Sequence, residues 1–398
     1  MKILVVSQYY YPEPFRISDI CETLVQKGHE ITVLTGLPNY TDGCVPKEYK
    51  YNKKRVELIN GVKVIRSFEI GRGSNRFKLF LNYFGFTISA SLKTLFMKEK
   101  FDIIFVNQLS PVTIGIPAIV YKKKHNTKIL LYCLDLWPDS LVAGGIRERS
   151  IVYSIFLKVS KLIYNSADRI LVTSNMFKKY FKNTLGIENG NIKYLPQYAE
   201  DLFLQSSEIQ PKRDEFNFVF AGNIGALQSV ETIIKAANEL KNHSEIIFHI
   251  IGNGSNYDIC KKLADEFDLT KVVLYGRRPI NEMPHFYGIA DAMLVTLKNN
   301  ETLSYTLPGK VQSYMAAGKP VIGAINGETK CVIEKSGCGL CCAAEDYIGM
   351  ANLILQFCNS DEKEQMASNA KKLYFENYSK EGFMTELENE LINLQEEK

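Results

Sequence analysis

Short apolar runs alternate with helix-period stretches along the whole chain. Ile3–Val6 is an unbroken apolar run, followed by a polar loop and a helical pattern that ends at Lys27-Gly28. Ile31–Leu34 repeats the run. Strand, helix, strand in that order predicts a βαβ unit and a parallel sheet. Val62–Ser67, Ile103–Val106, Ile129–Cys133, Ile170–Thr173 and Lys193–Leu195 continue the strands, with helices over Pro111–Lys124 and Ile151–Ser166. Pro196 to Arg213 is polar and predicts a strand-free linker. A second series follows, with strands at Phe216–Phe220, Ile246–Ile251, Val272–Leu274, Ala292–Leu297 and Pro320–Ile322. Helices are expected around Glu231–Leu240 and from Asn281, a loop over Lys298–Thr306, and an amphipathic helix over Phe383–Leu394. The chain therefore reads as α/β, with two Rossmann-like halves meeting across a cleft.

Ligands of such sheets bind at the carboxyl ends of the strands, so the loops there carry the candidate chemistry. Leu307-Pro-Gly309 runs into a helical segment that Gly318 stops. Lys310 falls in its first turn, where a cation is unfavourable unless an anion also sits there. Gly309 would let the backbone approach that anion. The bland alternative is a helix–strand unit with a surface lysine. Gly222-Asn-Ile-Gly225, Gly252-Asn-Gly254 and Gly276-Arg-Arg-Pro279 repeat the pattern of a strand followed by a glycine loop. In the first half, Ser7–Arg16 and Gly36–Gly43 follow strands, and Tyr9, Tyr10, Pro12, Pro14 and Arg16 would suit a bulky or anionic ligand. A proline-stiffened surface loop is the competing reading. No Gly-x-Gly-x-x-Gly follows the first strand, so this is not a dinucleotide fingerprint. Cys133–Ser140 holds the only tryptophan and two carboxylates, Asp135 and Asp139, for hydroxyl binding or base catalysis. The competing reading is an Asx-turn or helix N-cap, which fits Asp139 better than Asp135.

Charge sharpens the division between the halves. Residues 1–200 hold 29 Lys+Arg against 16 Asp+Glu, and residues 201–398 hold 19 against 28, although the whole chain is only +4. Such asymmetry predicts that the first half faces an anionic surface, unless these are simply solvated lysines. From Arg72 to Lys100, Phe77, Phe80, Leu81 and Phe84 recur at helical spacing among Arg72, Arg76 and Lys78. That stripe would lie in a bilayer surface or face the core. Nine irregularly spaced cysteines indicate a reducing compartment, and Cys338, Cys341 and Cys342 read as small buried residues around a strand. The start is too short for a signal-peptide core, and no apolar run reaches a membrane span. These features predict a cytoplasmic protein, held peripherally at the inner face of the cell membrane.

Taken together, these marks resemble the retaining glycosyltransferases of the GT-B fold, in the glycosyltransferase family 4 group, which use nucleotide-sugar donors. The resemblance rests on Ser7–Ile17, Gly28-His-Glu30, Leu34–Tyr40, Asp135–Ser140, Gly222–Gly225 and Leu307–Val321. Within that group the chain looks most like the N-acetyl-L-fucosamine transferases of O-antigen and capsule assembly. The resemblance implies an acceptor domain over 1–200, a nucleotide-sugar domain over 201–379, and a helix over 380–398 packing back on the first domain. It implies a donor site at Gly222, Asn223, Gln228, Arg277, Arg278, Thr306, Leu307, Pro308, Gly309, Lys310 and Ser313. Tyr10, Pro14, Phe15, Arg16 and Asn39 are expected to hold the acceptor, a polyprenyl-diphosphate-linked saccharide. Asp135, Asp139 and Lys310 are expected at the chemistry. No metal is demanded and no nucleic acid is expected.

Three departures qualify the resemblance. The family's Glu-x7-Glu pair is replaced by Tyr305 and Ser313. The Arg and Lys that relatives place on the diphosphate fall at Asn223 and Gln228, which leaves more phosphate charge to Lys310 and Arg277. A His-Asp pair becomes Leu134-Asp135, and leucine in place of a 6-hydroxyl ligand accepts a methyl group, hence a 6-deoxy sugar. Two other function classes stay open at this stage. One is a non-hydrolysing UDP-sugar 2-epimerase, and the other is a catalytically silent nucleotide-sugar-binding subunit.

Overall fold

The computed structural model describes residues 1–398 apart from 41, 74, 144, 149, 189, 206–214 and 398, with only the backbone of Arg76 and Ala143. The chain divides into two units. Met1–Thr173, Phe177–Leu195 and Met384–Lys398 form the first, and Ser174–Met176 with Pro196–Phe383 form the second. Residues 206–213 of the expected linker lie outside the described residues.

The first unit has eight strands: β1 Lys2–Val6, β2 Glu30–Thr35, β3 Val56–Ile59, β4 Val62–Arg66, β5 Ile103–Gln108, β6 Lys128–Cys133, β7 Arg169–Val172 and β8 Ile192–Tyr194. Their order is β3-β4-β2-β1-β5-β6-β7-β8, and every pair is parallel except β3 with β4. Ile3–Val6 is completely buried, as an unbroken apolar run in a sheet covered on both faces should be. The β3 strand was not expected. It pairs through the turn Asn60-Gly61, both at positive φ, a two-residue hairpin that Asn-Gly favours. The helix Lys380–Glu396 buries Met384, Leu387, Leu391 and Leu394 at helical spacing. Its buried Glu390 accepts hydrogen bonds from Arg169 and Lys193, and Glu388 accepts from Lys27 at 2.7 Å.

The aromatic helix, Arg76–Phe96, corrects a core-facing reading of its stripe. It buries Asn82, Phe86, Thr87, Ala90 and Thr94. Phe77 and Phe80 are 69% and 50% exposed, and Phe96 74%.

The second unit has six parallel strands: β9 Phe216–Ala221, β10 Ile246–Ile251, β11 Val272–Gly276, β12 Ala292–Thr296, β13 Val321–Ala324 and β14 Gly339–Cys342. Their order is β11-β10-β9-β12-β13-β14. Alternate residues feed two cores: Val219, Met293 and Val295 join one face, while Phe218, Phe220 and Leu294 join the other. The expected loop Lys298–Thr306 contains a short helix, Glu301–Ser304, capped by the Asn300 side chain. Gly222–Gly225 does not open directly into a helix. A 3-10 turn, Ala226–Gln228, comes first, and the helix proper is Glu231–Glu239. The helices Gly327–Ser336, Tyr347–Cys358 and Lys363–Asn377 were not expected either. All nine cysteines are free. Cys338 is buried, and Cys341 and Cys342 lie half-buried in β14.

Candidate functional site

The strand order of the second unit reverses between β9 and β12, because β9 pairs with β10 on one side and β12 on the other. A sheet opens there, and that switch point is where parallel α/β sheets hold ligands. The loops around it are zipped together by backbone. Gly222 N–H donates to Ile251 (3.0 Å), Ile224 N–H to Asn253 (3.0 Å), and Gly252 N–H to Gly276 (2.9 Å). Gly222 and Gly252 sit at φ +151° and +143°, and a Cβ on Gly252 would lie 1.8 Å from the Gly222 carbonyl oxygen. Glycine is required here so that two backbones can pass so closely.

Lys310 reaches this point from the first turn of the helix Gly309–Ala316, whose N-terminus has no side-chain cap. Its Nζ donates to Gln228 Oε1 at 2.6 Å and stands 4.1 Å above the centroid of Phe220. The same ammonium lies 3.1 Å from where a Gly222 Cβ would be. Among the described residues it has no carboxylate partner. Burial lowers its pKa from 10.5 to about 7. An ammonium beside an uncapped helix start and a glycine loop is a seat for an anion.

Of the expected donor residues, Gly222, Gln228 and Lys310 come together. Asn223 is exposed beside Gly225 and Gly254. Arg277 and Arg278 are exposed after edge strand β11, two strands from β9 and hence about 10 Å away. Arg278 rests over the ring of Tyr275. Thr306 Oγ1 donates back to Leu303 (2.7 Å), Leu307 belongs to the core, and Pro308 occupies the position before the helix without capping it. Ser313 is buried, with its hydroxyl donating to Gly309 at 3.3 Å. Sequence reasoning missed Glu301. Its carboxylate accepts a 2.8 Å hydrogen bond from the Tyr305 hydroxyl, and the i,i+4 spacing was the available signal.

The first unit reverses its order at β1, between β2 and β5. A buried polar network fills the loops there. Glu69 accepts from Gln8 Nε2 (3.1 Å) and from Asn39 Nδ2, and burial pushes its carboxyl well above the usual range. Glu13 accepts the backbone N–H groups of Asn39 (2.6 Å) and Tyr40, and burial raises it too. Asn39 Oδ1 accepts from the Arg72 backbone (3.0 Å) and from Asn82 Nδ2 (3.2 Å). The rings of Tyr9, Phe15 and Tyr40 cluster at 4.9–5.2 Å, and the Arg72 guanidinium lies 4.8 Å over Tyr40. Phe15 and Asn39 therefore lie in this cluster together with Tyr9, whereas Tyr10 is buried beside Cys21. Pro14 is exposed and Arg16 half-buried. Glu13, Glu69 and Arg72 were missed as members.

The two expected aspartates part company. Asp135 accepts from Ser110 Oγ (2.8 Å), which in turn accepts from Trp137 Nε1 (3.0 Å), and burial raises its pKa. Asp139 begins the helix Asp139–Ala143 and accepts from the Tyr153 hydroxyl at 2.7 Å. The histidines have structural contacts: His29 with Glu388, His125 with Met97, His243 with Glu245, His249 with Tyr275 and Asn217, and His285 with the ring of Phe286. Among the described residues no group of three His, Cys, Asp or Glu could hold a metal ion.

Comparison with known proteins matches this division. Residues 16–197 match the family model Glycosyltransferase Family 4, and residues 204–373 match Glycosyl transferases group 1. These matches and the fold place the chain among the glycosyltransferases of this group 1/family 4 type, with the two-domain GT-B architecture. The chain is 30% identical over 247 residues to the probable glycosyltransferase WbjE of Pseudomonas aeruginosa, across 59% of this chain and 60% of that protein. It is 22% identical to the putative colanic acid biosynthesis glycosyl transferase WcaI of Escherichia coli K12, across 80% and 82% of the two chains. Among solved structures, Thermosynechococcus elongatus sucrose-phosphate synthase superposes with TM-score 0.74 at 17% identity, covering 99% and 98%. Anabaena HepE, in complex with UDP and glucose, superposes with TM-score 0.71 at 14% identity, covering 98% and 99%.

Proposed function

We propose that this chain transfers a sugar from a UDP-sugar to a polyprenyl-diphosphate-linked saccharide in bacterial surface polysaccharide assembly, with retention of configuration. The observation that carries the reading is Lys310, a packed ammonium with no carboxylate partner among the described residues, beside Gly222 and an uncapped helix start. A diphosphate leaving group supplies the missing negative charge. Fixed N–H dipoles and one cation stabilise that charge as it develops, and in an enclosed site they do so strongly. HepE, whose solved complexes contain UDP, UDP-glucose or UDP with glucose, shares the fold, which agrees with UDP as the carrier. WcaI, described as a colanic acid biosynthesis enzyme, agrees with polysaccharide assembly.

In this reading the second unit holds the donor and the first unit the acceptor. Lys310 neutralises the leaving diphosphate. Attack comes from the same face, and a donor phosphate oxygen takes the acceptor proton. Asp135, fixed by Ser110, orients a substrate hydroxyl, while Asp139 holds Tyr153 in place. Leu134, in the sequence position where the resemblance expects a histidine that binds the 6-hydroxyl, favours a 6-deoxy donor such as UDP-N-acetyl-L-fucosamine. The histidine contacts favour transfer over epimerisation, which needs histidine acid/base groups free in the site. Radiolabelled donor with a membrane lipid extract tests the reading. Transfer to lipid supports it, whereas isomerised sugar or binding without turnover refutes it. Comparing turnover of 6-deoxy and 6-hydroxy donors tests the sugar, and a preference for the hydroxyl ends that part.

The acceptor is a lipid, so the enzyme must work at the cytoplasmic membrane face. No helix among the described residues is long and apolar enough to cross a membrane. The exposed stripe Phe77, Phe80, Ile88 and Leu92 fits peripheral contact of the first unit with anionic lipid.

A further inference from the structure

Three loops leave the carboxyl edge of the first sheet side by side, beginning at Ser7 after β1, Gly36 after β2 and Ser67 after β4. The last two are fastened to each other by backbone. Gly73 N–H donates to the Gly43 carbonyl at 2.8 Å, and a Cβ on Gly71 would lie 2.8 Å from the same oxygen. Arg72, between those glycines, donates its own N–H to Asn39 Oδ1 at 3.0 Å. Its guanidinium rests 4.8 Å over the ring of Tyr40. The buried network pins both members of that stack by their backbones: Asn39 holds Arg72, and Glu13 accepts the Tyr40 N–H. Asn39 is fixed in turn by Glu69, whose carboxyl packs so closely that a Cβ on Gly36 would lie 2.5 Å from it. Support of this kind holds a side chain ready for a ligand.

Arg72 is half-buried, and among the described residues it has no ion pair. Two buried arginines of the same unit are paired, Arg66 with Glu57 at 3.0 Å and Arg169 with Glu390. Carboxylates are at hand in the network, yet Glu13 is occupied by the N–H groups of Asn39 and Tyr40, and Glu69 by Gln8 and Asn39. The Tyr9 hydroxyl is buried without a hydrogen-bond partner, and its ring stands 5.1 Å from that of Tyr40. An unpaired guanidinium and an unpaired hydroxyl donor in one cluster lack an anion rich in acceptor oxygens.

We infer that Arg72 is the ligand for the acceptor's diphosphate: its guanidinium takes phosphate oxygens while the Tyr40 ring and the Asn39 contact hold it in place. This rests on the polyprenyl-diphosphate reading of the acceptor. It gives that diphosphate a residue in the first unit, as Lys310 gives the donor diphosphate one in the second. Arginine suits the position because its planar fork meets phosphate with two hydrogen bonds and lies flat on a ring, neither of which lysine does as well.

Calorimetry on the full chain with geranyl diphosphate as the probe tests the site, with UDP saturating throughout so that the donor site is filled. The wild type should bind the probe, and neither geraniol nor methyl glucuronide should displace it. Arg72→Gln should weaken binding about 10- to 100-fold, the range for losing hydrogen bonds to a charged group. Arg72→Lys keeps the charge without the fork and should recover part of that loss. Lys178→Gln removes one exposed charge elsewhere in the unit and should bind as the wild type does. Binding that survives Arg72→Gln, an equal loss in Lys178→Gln, or no recovery in Arg72→Lys overturns the assignment. Displacement by methyl glucuronide would make the anion a sugar carboxylate, and displacement by geraniol would make charge irrelevant; either overturns it too. With membrane lipid extract as acceptor, Arg72→Gln should raise KM for the lipid about tenfold or more and leave KM for the UDP-sugar unchanged; a rise in the donor KM instead counts against it. Should the wild type bind geranyl diphosphate through Arg72 yet transfer no sugar, the diphosphate site stands and the transferase reading falls. Should it transfer sugar yet fail to bind the probe, the site falls and the transferase reading stands.

Discussion

Replacing Lys310 with methionine should make the protein more stable and less active. The fall in the lysine pKa from 10.5 to about 7 measures the cost of keeping its ammonium charged in the fold, at most about 5 kcal/mol. The hydrogen bond to Gln228 returns about 2–3 kcal/mol and the contact with Phe220 about 1 kcal/mol. Methionine forfeits these two and keeps the apolar packing, so the variant should gain about 1 kcal/mol, or roughly 2–4 °C in melting temperature. The sign with pH follows from linkage. Lys310 is depressed in the folded state, so its cost is complete below about pH 7, where both states are charged. It disappears as pH rises toward 10.5, where neither state needs the proton. The stability gap between variant and wild type should therefore be widest below pH 7 and close in alkali. Turnover should move the other way, with kcat down about 100-fold through loss of the leaving-group cation. Paired thermal melts across pH and UDP-release kinetics read both. A variant that melts lower and still turns over normally would falsify the assignment of Lys310 as an anion ligand.

UDP binding should draw a proton onto Lys310 above about pH 7, so its affinity should fall by up to tenfold per pH unit there and level off below; calorimetry in buffers of different ionisation heat measures the uptake. Gly252→Ala should disrupt the loops at the switch point, because its Cβ would stand 1.8 Å from a backbone oxygen, and UDP binding should be lost even if a folded protein is recovered. Glu390→Ala leaves Arg169 buried without its main partner and should cost about 3–5 kcal/mol in urea unfolding of the first unit. Asp139→Asn should lower stability by about 1–2 kcal/mol through Tyr153, whereas Asp135→Asn should cost mainly turnover; an inverse pattern would reassign them.

The strands and the glycine loops were legible because local pattern dictates them. The run Ile3–Val6 can only be a doubly covered strand, and Gly318 at positive φ ends the Lys310 helix where the sequence said it should. What surrounds Lys310 was not legible. Gln228 is 82 residues away and meets it only once β9 and β12 are adjacent. Hydrophobic periodicity shows that a helix has two faces without showing which one turns inward. Arg76–Phe96 buries Asn82, Thr87 and Thr94, bonded at Ile70, Thr113 and Ser91, together with Phe86, and turns Phe77, Phe80 and Phe96 outward. The β3 hairpin carried its signal in Asn60-Gly61, which a search for parallel strands passed over. The Glu13–Glu69–Asn39 network joins four separated segments, and no short window could reveal it.

A crystal structure of the protein with UDP is the direct test of the donor site. The account predicts Lys310 Nζ turned from Gln228 onto a phosphate oxygen, with Gly222 and the start of the Gly309–Ala316 helix against the diphosphate. UDP bound elsewhere, with Lys310 still donating to Gln228, would contradict it.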